Sequence, residues 1–169
     1  TRRFLVALTL VAASSSGLAA PAVTLPKLPP PDPRELPYFM VPIPMEAAEA
    51  YWATDSRHLI AQTRDPQALK TKQGTNGALT WIFSDDGKDL WRVNDRGQDA
   101  CSYFFPDGQT IVWTSTRDNM KLPVGNWSDS DDYPQGGEIY LSDWKGKNVR
   151  RMTNNPYYEA EVSVAADSQ

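Results

Sequence analysis

The chain has 169 residues, a formal net charge of −4, 14 prolines, 10 glycines and an aromatic set of 6 Trp, 7 Tyr and 5 Phe. No apolar run approaches the ~18 residues a spanning helix needs, and the negative charge excludes a nucleic-acid binder that relies on a basic surface. A single cysteine (Cys101) and a single histidine (His58) exclude an intrachain disulfide, a cysteine-rich zinc site and a multi-histidine metal centre.

Residues 1–22 read as a secretory signal peptide. Arg2 and Arg3 supply a positive start, Phe4 to Ala13 an apolar core, and Ala20-Pro21-Ala22 small residues at the cleavage point. The core is too short for a membrane anchor, and no cysteine at the cleavage point offers a lipid attachment site. Its removal takes away 22 residues and two arginines, leaving 147 residues and a charge of about −6. The expected destination is the periplasm or the cell exterior, with no integral membrane segment after processing.

Residues 23–46 are expected to form a proline-rich linker or arm. Nine of the 14 prolines fall between positions 21 and 44. Each proline fixes φ and removes a backbone donor, so this stretch favours an extended course over a helix or central strand. It reads as a spacer, an arm packed on the surface, or a ligand for a domain that takes proline-rich peptides.

From residue 47 onward two segments recur. Tyr51 to Arg64 aligns with Tyr103 to Arg117 and with Ser163 to Gln169; Trp81 to Asp95 aligns with Glu138 to Asn154. Each first segment carries an aspartate and a small residue after an apolar stretch: Asp55-Ser56, Pro106-Asp107-Gly108 and Asp167-Ser168. Such pairs suit tight turns, because Gly tolerates positive φ and Asp bonds its own backbone. Each unit reads as four short strands, a to d, over about 48–95 and 98–154, with a third begun near 159. Strand b of the second unit is expected over Gln109 to Thr116, strand c near Ile139 to Ser142, and strand d over Asn148 to Thr153. Tandem four-stranded units predict an all-β fold, a β-propeller of antiparallel blades. Two blades and the start of a third cannot close a ring of ~4–8 blades, so the chain is expected to be the N-terminal piece of a longer protein.

The strings FPDGQTIVWTSTR (Phe105 to Arg117) and GGEIYLSDWKGKNVRRMTNN (Gly136 to Asn155) resemble the repeats of the periplasmic TolB-like propeller family. The resemblance covers about residues 48–169 and is weaker in the first unit, where Asp55-Ser56 lacks the proline. It implies a six- or seven-bladed propeller and an envelope protein or peptide as partner.

Up-and-down strands place the a–b and c–d turns at one end of each unit and the b–c and d–a connections at the other. The a–b and c–d turns are tight, while the b–c connections, 64–77 and 117–136, are long and mark the candidate functional end. There the candidate partner-binding residues are Trp127, Asp129, Asp131, Asp132, Tyr133, Tyr157 and Tyr158. Exposed rings among polar neighbours suit protein recognition. The three aspartates also begin like a calcium loop but lack its central glycine and closing glutamate, so no metal or other cofactor is expected. No G-x-S-x-G elbow is present, and no catalytic residues are assigned. His58 reads as a cap on a surface strand, Cys101 as a small core residue, and Lys147, Arg150 and Arg151 as a solvated edge. The expected function is a non-enzymatic interaction module of the cell envelope. The alternative is the N-terminal propeller of a secreted serine peptidase whose hydrolase domain lies beyond this stretch.

Overall fold

The computed structural model describes residues 34, 39–64, 78–123, 125, 129 and 131–167. The expected signal peptide, most of the linker, Trp127 and Ser168 lie outside the described residues. The described chain forms eight strands: β1 (Ala47–Trp52), β2 (His58–Arg64), β3 (Ala78–Ser84), β4 (Leu90–Arg92), β5 (Asp99–Phe104), β6 (Thr110–Ser115), β7 (Glu138–Asp143) and β8 (Arg150–Arg151). They make two four-stranded antiparallel sheets, β1-β2-β3-β4 and β5-β6-β7-β8, with no helix among the described residues.

The two sheets are built alike. Tyr51 pairs with Ile60 in the first and Tyr103 with Val112 in the second. Both first strands carry a bulge two residues earlier, where Glu49 (φ 51) and Cys101 (φ 43) adopt left-handed backbone. A left-handed residue costs about 1–2 kcal/mol outside glycine, so its presence at the same point of both strands reflects tertiary packing rather than local preference.

The sheets stack face to face. Ile60 and Ile82 of the first sheet meet Phe104, Ile111, Trp113 and Tyr140 of the second in one buried cluster. Each such aliphatic side chain contributes about 1.5–3 kcal/mol on leaving water. Tyr51 packs on Tyr103 with ring centroids 4.1 Å apart. The rim of the interface is aromatic: Trp91 Nε1 donates to the Trp144 carbonyl at 2.6 Å, and Lys145 Nζ sits 3.2 Å above the Trp91 ring.

The other face of the first sheet, Leu59, Ala61 and Phe83, is covered by Val41 and Ile43. The end of the proline-rich segment therefore packs on the sheet as an arm. Two glycines in the c–d turns record how close these layers come. A Cβ on Gly146 (φ +68) would lie 1.9 Å from the Val93 oxygen of the first sheet, and one on Gly87 (φ +68) 2.5 Å from the Pro42 oxygen of the arm. The arm thus meets the first sheet much as the first sheet meets the second.

Three local expectations are corrected. Strand d of the second unit is only Arg150–Arg151, because Asn148 (φ 56) continues the preceding turn. Residues 159–167 form no strand, since the described residues offer them no strand b to pair with. Arg151 is not a solvated edge charge: its guanidinium donates at 2.6 Å to Glu138, whose side chain is fully buried.

Candidate functional site

At the tight-turn end, two aspartates bond the backbone of their own turns. The Asp55 carboxylate accepts from the Arg57 and His58 amides, and Asp107 from the Gln109 and Thr110 amides and the Thr110 hydroxyl. Ser56 (φ 55) and Gly108 (φ 68) supply the left-handed residue beside them. Pro106, Asp107 and Gly108 are exposed, and Asp167 occupies a turn. Burial pushes the Asp55 carboxyl up, but bonds to the His58 ring and to the two amides outweigh it and hold the group down at about 2. His58 is more than a surface cap. Nδ1 lies 2.6 Å from Asp55 Oδ2, and its ring packs against Trp91 and Trp144 at the sheet interface.

The long-connection end holds a buried polar joint that the sequence did not reveal. Asp99, the first residue of β5, is fully buried between the sheets. It accepts from the Thr80 amide at 2.7 Å and from Asn94 Nδ2 at 2.7 Å, and Asn94 also reaches Ser115. Burial raises its carboxyl to about 6 against these bonds. At the next connection Asn155 Nδ2 donates to Glu159 at 2.7 Å, and the Asn155 amide donates to Glu138. An asparagine amide thus bonds a nearby acid at each connection, five residues on at Asp99 and four residues on at Glu159. Cys101 is buried, its thiol pushed up to about 11 chiefly by burial, and its amide donates to Glu49. That environment disfavours the thiolate a nucleophile needs.

Of the candidate partner-binding residues, the structure brings the three tyrosines together. Tyr133 and Tyr158 stack with centroids 4.8 Å apart and planes 23° from parallel. Tyr157 is 74% exposed. With Pro134, Gln135 and Pro156 they line a cleft of about 370 Å³. The backbone holds the two walls together: the Gly136 amide donates to the Tyr157 carbonyl, the Glu159 amide to the Gly137 carbonyl, and Gly137 bridges Tyr158 in parallel. Burial leads the effects that raise the Tyr158 hydroxyl well above its ordinary range, so Tyr158 presents a neutral phenol. Asp129, Asp131 and Asp132 are exposed on the turn that leads into Tyr133. Asp129 caps that turn through the Asp131 amide. Its carboxylate serves the loop backbone, and no metal-holding cluster of three His, Cys, Asp or Glu occurs among the described residues.

No helix among the described residues is long and apolar enough to cross a membrane. Comparison with protein-family models, with curated proteins and with solved structures finds no match to this chain.

Proposed function

We propose that the two sheets are consecutive blades of a TolB-like β-propeller and that the protein is a non-enzymatic interaction module of the cell envelope. The blade reading is supported by matching register and bulges in the two sheets. It is further supported by the left-handed backbone of Glu161, 60 residues after Cys101, as a third unit would have it. The binding role rests on one observation: the Tyr133–Tyr158 stack, with exposed Tyr157 beside it, lines an open cleft at the long-connection end. Rings anchored in this way bury much area at little entropic cost. Export by the signal peptide would deliver the module to the envelope.

The test is capture from an envelope extract of the source cell by immobilised wild-type chain and by Tyr157→Ala. The ring is solvent-facing, so the variant should melt within about 0.5 kcal/mol of wild type. A protein retained by wild type and lost by the variant is the expected result. Equal retention by both would overturn the cleft as the binding surface.

A further inference from the structure

We infer that the second sheet carries, on its face away from the first, a socket for an aromatic ring presented on a partner's β-turn, with an acidic residue following the ring. The inference rests on the matched register of the two sheets and does not involve the tyrosine cleft. In the first sheet Ile60 pairs with Ile82, and Ile82 with Trp91. In the second, Val112 pairs with Leu141, and Leu141 with Arg150. His58 precedes Ile60, and Thr110 precedes Val112, by two residues. Thr110, Leu141 and Arg150 therefore stand where His58, Ile82 and Trp91 stand in the first sheet. Trp113 and Tyr140 face the first sheet, so strand alternation turns Val112 and Leu141 the other way.

In the first sheet that position receives Trp144 from the c–d turn of the second. The Trp144 ring sits edge-on to His58 with centroids 5.7 Å apart and packs on the cluster that contains Ile82. Trp91 Nε1 donates to the Trp144 carbonyl at 2.6 Å, and the next residue, Lys145, sets Nζ 3.2 Å above the Trp91 ring. A ring, a carbonyl and the charge that follows the ring are each met by a partner. In the second sheet the matching position is an open cavity of about 350 Å³, lined by Thr110, Leu141 and Arg150 together with Asp143. That volume lies within the range of about 300–1,000 Å³ usual for pockets that take organic groups.

Arg150 sets the chemistry of the occupant. Like Trp91 Nε1, its guanidinium donates to a turn carbonyl, and its plane stacks on an aromatic face. The two residues differ in the charge they welcome. The Trp91 ring attracts the cation of Lys145, whereas Arg150 repels a cation and pairs with a carboxylate. Leu141 supplies the apolar floor that Ile82 supplies in the first sheet. The Asp143 carboxylate serves its own turn, accepting from the Lys145 and Lys147 amides and from Asn148, which leaves Arg150 as the charge offered to a ligand.

Two fluorescent cyclic peptides test this against the full chain by anisotropy. One carries the turn Ser-Asp-Trp-Lys-Gly-Lys, copied from residues 142–147, and the other has Glu in place of the Lys that follows Trp. The Glu peptide should bind about fivefold more tightly, the effect of exchanging a like for an opposite charge at a surface contact. Alanine in place of the peptide's Trp should remove binding. Arg150 is exposed, so Arg150→Trp leaves the core intact and should reverse the preference towards the Lys peptide. Arg150→Glu should reverse it as well. Equal affinity for the two peptides, an unreversed preference in both variants, or no binding of either peptide by wild type would overturn the proposal. So would loss of binding in Tyr157→Ala, because the peptide would then occupy the tyrosine cleft.

Discussion

The buried joint at Asp99 makes stability depend on pH in a direction opposite to that of the surface carboxylates. Asp99 has its carboxyl raised from 3.8 to about 6, first by burial, with bonds from Ser115, Thr80 and Asn94 opposing. A carboxyl whose folded value lies above its unfolded value binds its proton more tightly in the native state. Its contribution is therefore complete below about pH 4 and is lost as pH rises through about 6. The gap between the two values corresponds to about 3 kcal/mol. Asp55, lowered to about 2, and Asp107, also lowered, work the other way: their contributions are present above pH 4 and are lost only below it. The two windows do not overlap. Urea midpoints followed by tryptophan fluorescence between pH 4 and 7 should show wild type losing stability across that range. Asp99→Asn, which cannot ionise, should lack that loss, so the difference between the two curves isolates the joint. If the difference stays flat within about 1 kcal/mol from pH 4 to 7, Asp99 is not a buried ionisable clip and the reasoning fails.

Two further substitutions probe the packing. Gly146→Ala places a methyl 1.9 Å from the Val93 oxygen at φ +68, whereas Gly108→Ala has the same φ and its nearest atom, the Thr54 hydroxyl oxygen, at 3.9 Å. The second should cost about 1 kcal/mol from backbone strain alone and the first about 2–5 kcal/mol, so equal melting shifts would refute the close contact between the sheets. Arg151→Ala should cost about 3–5 kcal/mol, because it strips the charged partner from the fully buried Glu138. Adding Glu138→Gln should recover part of that loss in a double-mutant cycle; strictly additive effects would show that the pair is not coupled.

The turn chemistry was legible from residues alone, for a local reason. Asp55-Ser56 and Asp107-Gly108 turn the chain by bonding their own backbone and tolerating positive φ, and neither requirement involves a distant partner. The all-β class was legible for the same reason, since alternation and punctuation are short-range signals. The gathering of Tyr133, Tyr157 and Tyr158 was half legible: a strand topology assigns their connections to one end. The stack itself needs the Gly136–Tyr157 and Glu159–Gly137 bonds.

Sequence by itself determined the all-β class, the tight turns and the end of each unit where the long connections gather, because these follow from neighbours along the chain. Only the tertiary structure decided that Asp99 is a clip between sheets, that Arg151 faces a buried carboxylate, that His58 belongs to an aromatic interface and that Glu49 and Cys101 share a left-handed bulge. Each of those outcomes depends on which face meets which. An aspartate or arginine carries no mark of whether the opposing surface is water or another sheet, and burial alone turns the same side chain from a solvated charge into a structural joint.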